Sequence, residues 1–198
     1  MNANARLWAG IAVATAGLLA LSGCVVSPGD DALTQVRPSY STVGPVTEIA
    51  QADRADPVPF SGTLETGETA SSTDWTGKVL VVNFWYAGCA PCRAEAPDLE
   101  ALYSEFQNQD VMFVGVNVRD QAGTAQSFAS TFGITYPSFL DANDGSIQLA
   151  FSGTIAPNAV PTTVVLDREG RVASRIVGRL ASRSILETLI RDTLAESP

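Results

Sequence analysis

With 198 residues and a formal net charge of −9, the chain has room for one ordinary domain with appendages and lacks the basic block that a nucleic-acid partner requires. Histidine is absent, which excludes Ser-His and Cys-His catalytic pairs and any imidazole-ligated zinc, copper or haem. The cysteines, Cys24, Cys89 and Cys92, are too few for a four-cysteine zinc site within one chain. We therefore expect no metal and no cofactor.

The N-terminus has the pattern of an export signal. Arg6 is followed by an uncharged apolar stretch over 7–21, which is shorter than the ~20 residues of a membrane-spanning helix and fits the apolar core of a signal peptide. It ends in Leu21-Ser22-Gly23-Cys24, which resembles the lipobox of bacterial lipoproteins. The resemblance implies cleavage after residue 23 and a lipid anchor on Cys24. A plain signal peptide or a marginal membrane helix with an incidental cysteine is the alternative.

The following segment, 24–57, is rich in Ser, Thr, Asp, Gly and Pro and has few large apolar residues. Such a composition cannot bury enough surface to offset the entropy of ordering the chain. We predict a signal peptide over 1–23, a flexible tether over 24–57 and one folded domain over 58–198.

Within 58–198, apolar periodicity and turn residues predict alternating strands and helices. Ser182 is a predicted cap for the last helix, and Gly133 a predicted helix end. In chain order we predict a short hairpin within 60–78, a buried strand over 79–85, a helix that follows and runs to about residue 107 with Pro91 in its first turn, and a buried strand over 111–118. Helices over 121–132 and 144–151, strands over 162–166 and 171–177, and a C-terminal helix follow. This order predicts an α/β fold with a central mixed β-sheet flanked by helices.

Cys89 and Cys92 form a C-x-x-C pair where the first buried strand meets the first helix. The unpaired N–H groups and positive dipole of a helix N-terminus stabilise a thiolate, which would lower the pKa of Cys89 from ~8.5 into a range of roughly 3.5–7.5. We expect Cys89 to be the more exposed, attacking sulfur and Cys92 to resolve the mixed disulfide. The alternative, a structural disulfide, is disfavoured because so small a loop constrains the unfolded chain little.

The block from Val82 to Pro97 resembles the active-site block of the thioredoxin superfamily. Its Cys-x-x-Cys-Arg-x-Glu-x-Pro pattern is similar to the TlpA/ResA/DsbE branch, which includes membrane-tethered thiol-disulfide oxidoreductases outside the cytoplasm. The resemblance extends over about 58–194 and implies a thioredoxin-like fold. Val160-Pro161-Thr162 matches the family's cis-proline motif, which lies opposite the cysteines where the preceding backbone can pair with an incoming peptide. The resemblance therefore implies substrate binding at Trp85, Ala90, Pro91, Val160 and Pro161.

One position departs from thioredoxins proper, which carry a buried Asp where this chain has Asn83. Matching the segment after the next strand places Asp120 on a carboxylate position of the ResA-like branch. We hypothesise that Asp120 manages the proton of Cys92. The alternative is that Asp120 caps the helix that begins near Gln121. Glu95, one helical turn from Cys92, is a weaker candidate that we expect on a solvated helix face.

The resemblance implies a protein that reduces disulfides of exported proteins such as apocytochrome c and is recharged by a membrane electron donor of the CcdA type. An oxidant that forms disulfides in exported proteins is the alternative. A peroxiredoxin is disfavoured because Tyr86 replaces the Thr three residues before the reactive cysteine. A Cu(I)-binding module is disfavoured by the missing His. We expect a lipid-anchored monomer on the extracytoplasmic side of the cell membrane.

Overall fold

The computed structural model describes residues 40–43, 46–156 and 159–196. The strands are β1 (Tyr40–Val43), β2 (Val46–Ile49), β3 (Ser61–Thr63), β4 (Thr69–Ser71), β5 (Val79–Trp85), β6 (Val111–Asn117), β7 (Ser138–Leu140), β8 (Thr162–Leu166) and β9 (Val172–Val177). The α-helices are α1 (Ala90–Phe106), α2 (Ala122–Phe132), α3 (Ser146–Ala150) and α4 (Arg183–Ala195). No α-helix within the described ranges has the length and apolar character needed to cross a bilayer.

A mixed sheet forms the centre of the fold, with seven strands in the described residues in the order β1-β2-β9-β8-β5-β6-β7. Strand β5 runs parallel to β6 and antiparallel to β8. Strands β3 and β4 form a separate antiparallel hairpin, as predicted for 60–78. The predicted α/β fold with a mixed central sheet flanked by helices is confirmed.

Both faces of β5 are covered, because successive side chains of a strand point to opposite faces. Val79 and Val81 pack into one cluster with apolar residues of α1 and α4, including Leu99, Leu186 and Ile190. The alternate residues of the strand pack into a second cluster with Phe60 of the segment before β3 and with Ile147 of α3; they are Leu80, Val82 and Phe84. The uninterrupted apolar run of β5 is explained by this burial on two sides.

The helices begin and end close to the residues predicted from caps, proline and glycine in the sequence. Cys89 is the N-cap of α1, with Pro91 in the first turn, where a missing N–H costs little. Helix α2 ends at Gly133, whose φ of 69° is a left-handed conformation that glycine adopts without strain. Ser182 caps α4 and accepts a hydrogen bond from the N–H of Ser184 at 3.2 Å.

The predicted tether is wrong over its C-terminal part, because β1 and β2 lie within 24–57. Strand β2 pairs antiparallel with β9, with Val46 opposite Ile176 and Glu48 opposite Ser174. The edge of β9 offers main-chain donors and acceptors to any adjacent segment, so composition alone does not reveal this pairing. The domain therefore begins before residue 58. The predicted signal peptide (1–23), the anchor at Cys24 and the tether over 24–39 lie outside the described residues.

Arg54 fixes the segment that follows β2. Its side chain is 3% exposed and donates hydrogen bonds to Asp167 at 2.9 Å and to Glu196, beyond α4, at 2.6 Å. Burial alone would raise the pKa of Asp167, but hydrogen bonds from the main chain of Arg171 and from Arg54 outweigh it and lower that pKa. These ion pairs connect the N-terminal segment to the β8–β9 turn and the C-terminus.

Candidate active site

Cys89 and Cys92 lie at the junction of β5 and α1, and a disulfide joins them with a Cα–Cα distance of 5.2 Å. The main-chain N–H of Cys92 donates to Cys89 Sγ at 3.1 Å. On reduction, this N–H and the helix N-terminus would stabilise a thiolate on Cys89. The geometry therefore favours Cys89 as the nucleophile and as the sulfur released most easily from a mixed disulfide.

Exposure does not distinguish the two sulfurs in the oxidised state. Cys89 is 3% exposed and Cys92 is 2% exposed. Both cysteines are therefore buried, and the greater exposure predicted for Cys89 is barely present. The assignment of Cys89 as the attacking residue rests on its N-cap position and on its hydrogen bond with Cys92.

Aromatic and small apolar side chains surround the disulfide. Trp85 is 5% exposed and packs on Phe128 with ring centroids 4.2 Å apart, and Phe128 packs on Phe132 at 4.5 Å. Both cysteines belong to the same cluster, which we call the aromatic shell; it contains Trp85, Phe128, Ala96 and Ala125, with Tyr86 and Phe132 packed against it. Trp85 therefore packs in the same cluster as the two cysteines. Substrate contact by Trp85 stays a prediction.

The Val160–Pro161 peptide bond is cis, as the family motif implies. Val160 packs against the aromatic shell, so the motif lies beside the cysteines. The carbonyl oxygen of Pro161 accepts a hydrogen bond from the N–H of Gly178 at 2.8 Å. Ala90 and Pro91 are exposed in the first turn of α1. The structure thus brings together the residues predicted to bind the substrate.

Glu95 is a buried carboxylate, and its predicted position on a solvated helix face is wrong. Its exposure is 1%, and its carboxylate accepts hydrogen bonds from Asn83 Nδ2 and from the N–H of Leu180, both at 3.0 Å. Burial raises the pKa of Glu95 to about 7, although both hydrogen bonds and the charge of Arg179 act to lower it. A carboxyl group with this pKa exchanges protons near neutral pH.

The helical period of α1 contained the signal for this burial. The buried positions of the helix recur three or four residues apart and include Cys92, Glu95, Ala96, Leu99 and Leu102. Residues at i and i+3 share one helix face, so Glu95 lies on the face that carries Cys92. If the same periodicity is extended to the charged residues of α1, it predicts that the side chain of Glu95 is buried.

Asn83 provides a donor at the position where thioredoxins carry an acid. The residue is 4% exposed, and Nδ2 donates both to Glu95 and to Thr163 Oγ1, the latter at 3.1 Å. Asn83 cannot titrate, but it orients the carboxylate of Glu95 beneath the helix.

Asp120 does not cap α2, so that alternative is wrong. The N-cap of α2 is Gln121, whose side chain makes no capping hydrogen bond. Asp120 Oδ2 instead accepts from the N–H of Ala87 at 2.6 Å and from Asn117 Nδ2 at 2.9 Å. The carboxylate therefore holds the loop that leads from β5 to Cys89.

Comparisons with known proteins agree with this site. A family model described as Redoxin matches residues 51–190, which is more than half of the chain. The chain belongs to the Redoxin family. Solved structures similar to this Redoxin-family chain include a DsbF homologue from Corynebacterium diphtheriae, 31% identical with a TM-score of 0.67, covering 75% of this chain and 93% of that one. A secreted thiol-disulfide isomerase from Corynebacterium glutamicum is 28% identical with a TM-score of 0.70, covering 77% and 93%.

Curated relatives of this Redoxin-family chain carry redox names. The thiol-disulfide oxidoreductase ResA of Geobacillus thermodenitrificans is 34% identical over 117 residues, which are 59% of this chain and 64% of ResA. The chain therefore spans just under two thirds of that relative's length. The thiol:disulfide interchange protein HelX of Rhodobacter capsulatus is 32% identical over 175 residues, 87% of this chain and 90% of HelX. The thioredoxin-like fold and the ResA/DsbE-like resemblance are confirmed.

Proposed function

We propose that this protein is an extracytoplasmic thiol-disulfide oxidoreductase in which Cys89 and Cys92 exchange disulfides with exported proteins. The observation that carries the proposal is the Cys89–Cys92 disulfide at the N-terminus of α1. There the main-chain N–H of Cys92 donates a hydrogen bond to Cys89 Sγ. The names of the relatives ResA and HelX support the same chemistry.

In the reducing direction, the thiolate of Cys89 attacks one sulfur of the substrate disulfide, and the substrate S–S bond breaks. One substrate sulfur leaves as a thiolate and takes up a proton, while the other is bonded to Cys89. Cys92 then loses its proton and attacks Cys89 Sγ, which releases the second substrate thiol and forms the Cys89–Cys92 disulfide. The protein pair loses two electrons, and the substrate gains them.

Glu95 is the group that we propose accepts the proton of Cys92. It lies one helical turn from Cys92 on the same face of α1, and its pKa of about 7 leaves the carboxylate partly ionised at neutral pH. The hydrogen bonds from Asn83 and Leu180 hold the carboxylate in one orientation.

A proton role for Asp120 stays a prediction beside this assignment. Its contacts with Ala87 and Asn117 support a positioning role for the loop before Cys89. Asp120→Asn removes the charge and keeps an acceptor for the Ala87 N–H. If Asp120 manages the proton of Cys92, the thiol pKa values measured by pH-dependent alkylation will change in this variant. Unchanged thiol pKa values would contradict the proton role and leave the positioning role.

Substrates would contact the face formed by Trp85, Ala90, Pro91, Val160 and Pro161. Support comes from the exposure of Ala90 and Pro91 and from the packing of Val160 beside the cysteines. A peptide whose cysteine reaches Cys89 can pair its backbone with the residue before the cis-proline.

We propose the reducing direction, with disulfides of exported proteins such as apocytochrome c as substrates and a membrane donor of the CcdA type as the source of electrons. The resemblance of the Cys-x-x-Cys-Arg-x-Glu-x-Pro pattern to the ResA-like branch implies this direction. Equilibration of the full chain with dithiothreitol or glutathione gives the reduction potential. We expect a value near the ~−270 mV of thioredoxin, and a value near the ~−120 mV of DsbA would favour the oxidant instead.

Trapping identifies the substrates. In Cys92→Ala, the mixed disulfide on Cys89 cannot be resolved, so exported proteins should accumulate covalently bound to it. Cys89→Ala is the matched control and should trap none of them, because it lacks the proposed nucleophile. Equal trapping by both variants would contradict the assigned roles.

A further inference from the structure

Two arginines, Arg93 and Arg119, lie beside the disulfide. Within the described residues, Arg54, Arg171 and Arg191 form ion pairs with carboxylates. Arg93 and Arg119 form no ion pair in the same part of the chain. Each stacks on an aromatic ring, as Arg191 also does on Phe106 in addition to its ion pairs.

The stacking rings belong to the surroundings of the cysteines. The guanidinium carbon of Arg93 lies 5.2 Å from the centroid of Phe132, and that of Arg119 lies 4.2 Å from the centroid of Tyr86. Both rings pack against the aromatic shell that contains Cys89 and Cys92. Both guanidinium groups therefore lie close to the surface that a substrate must approach.

A stacked guanidinium is well suited to bind a carboxylate. Cation–π contact uses the face of the group, whereas its N–H donors point outward in its plane and match the two oxygens of a carboxylate. Both arginines are exposed, and the rings restrict their side chains, so less conformational entropy is lost on binding.

The acidic residues near the two arginines either accept hydrogen bonds from other groups or lie elsewhere on α1. Asp120 Oδ2 accepts N–H groups of Ala87 and Asn117, and Glu95 is buried and bonded to Asn83 and Leu180. Asp98 is an exposed acid farther along α1. Because the whole chain has a net charge of −9, unpaired positive groups beside the cysteines are a local departure from its overall charge.

We propose that Arg93 and Arg119 bind carboxylates of the substrate and so select cysteine-containing segments with Asp or Glu near the reactive disulfide. This inference rests on the proposed function, because it concerns the substrates of the Cys89–Cys92 pair. Acidic side chains would strengthen the encounter and orient the substrate disulfide toward Cys89.

The test compares two disulfide-containing peptides that differ only in the residues flanking their cysteines, Glu in one and Gln in the other. The second-order rate of their reduction by the reduced full-length chain in detergent is measured at low salt, about 0.1 M, and at high salt, about 1 M. We expect the Glu peptide to react roughly tenfold faster at low salt, and the advantage to shrink as salt screens the charges. In Arg93→Gln and in Arg119→Gln, the ratio of the two rates should fall toward one.

Lys78→Gln is the matched control, since it removes one positive charge at the opposite end of β5. Seven residues of strand at ~3.3 Å each place Lys78 about 23 Å from Trp85, or more than two Debye lengths at about 0.1 M salt. We expect this variant to keep the wild-type ratio. An equal fall in all three variants would show an effect of net charge alone and overturn the proposal.

The outcomes also separate this inference from the proposed function. If the wild type reduces both peptides at equal rates, the arginines do not select acidic substrates, and disulfide exchange stands. If the wild type reduces neither peptide, the proposed disulfide reduction is itself contradicted, and the substrate selection that rests on it falls with it. Measurable reduction of the Gln peptide by each variant shows that its active site has folded.

Discussion

At the scale of single residues, the proposed proton transfer relies on hydrogen bonds that converge on Glu95. The N–H of Leu180 donates to its carboxylate, and two residues earlier the N–H of Gly178 donates to the carbonyl of Pro161. The short loop 178–180 therefore connects the cis-proline that would meet the substrate with the carboxylate that would receive the proton. The proposed substrate binding and the proposed proton transfer would therefore share one structural support.

We predict that Glu95→Gln slows disulfide reduction by roughly 100-fold near pH 7, the range of lost general-base catalysis. The wild-type rate should rise with pH through an inflection near the carboxyl pKa of about 7, because only the ionised form accepts the proton of Cys92. The inflection should be absent in Glu95→Gln. Rates of peptide reduction between pH 5 and 9 check this, with Asp98→Asn as an exposed control on the same helix. An unchanged inflection in Glu95→Gln would exclude Glu95 as the acceptor.

Glu95 also makes stability depend on pH. Its pKa is raised from 4.5 to about 7 in the folded chain, so between these values the native state binds more protons than the unfolded state. The free energy of unfolding should therefore fall as pH rises from 4.5 to 7. Relative to Glu95→Gln, the oxidised wild type should lose about 3 kcal/mol over this interval. Urea unfolding at pH 4.5 and pH 8 measures the difference, and parallel curves would contradict it.

At the scale of elements, the disulfide lies at the junction of β5 and α1, and the neighbouring strand β6 leaves room for Trp85. Gly115 of β6 lies opposite Asn83 of β5 and Ser138 of β7 in the sheet register. A Cβ at Gly115 would lie 2.7 Å from Trp85 Nε1 and in conflict with Ser138 Oγ. Only a residue without a side chain leaves room for the Trp85 ring, which packs in the cluster of the two cysteines.

We predict that Gly115→Ala destabilises the protein by about 1–3 kcal/mol, the cost of forcing a methyl group into a packed site. Trp85 should also shift, so its fluorescence spectrum should change together with the midpoint of urea unfolding. Gly123→Ala is the matched control, because a Cβ there meets no atom within 4 Å. A Gly115→Ala variant as stable as Gly123→Ala would show that the site relaxes without cost.

At the scale of the whole molecule, the folded domain reaches into the segment predicted as a tether. Strand β2 adds to the sheet at β9, and Arg54 connects the following residues to Asp167 and Glu196. Any tether to the membrane is therefore confined to residues before β1. We propose that Cys24 carries the anchor that holds the domain outside the cytoplasm.

We predict that Cys24→Ser releases the protein from the membrane fraction, because the lipid chains that supply stable anchoring have no attachment site. Radiolabelled fatty acid should be incorporated by the wild type and not by the variant. Cys92→Ser is the control and should be labelled like the wild type. Equal membrane retention of Cys24→Ser without label would indicate a retained apolar signal segment instead of a lipid anchor.

The sequence by itself determined the reactive pair, the matching proline and most strands and helices around them. Continuous apolar runs, helix caps and turn residues act over a few neighbouring positions, so β5, β6, α1 and α4 could be predicted from local pattern. Strands β1, β2 and β7 are short, and their pairing depends on a distant strand edge.

The helical period of α1 can place Glu95 on the face of Cys92, but tertiary structure alone decided which groups meet its carboxylate. Glu95 is buried because Leu180, far along the chain, places its N–H against the carboxylate, and because Asn83 lies beneath it on β5. The cost of burying a charge is offset only by such partners, and their arrival depends on the folded arrangement of three separate elements. The stacking of Arg93 and Arg119 on rings beside the disulfide is decided in the same way, by packing between elements.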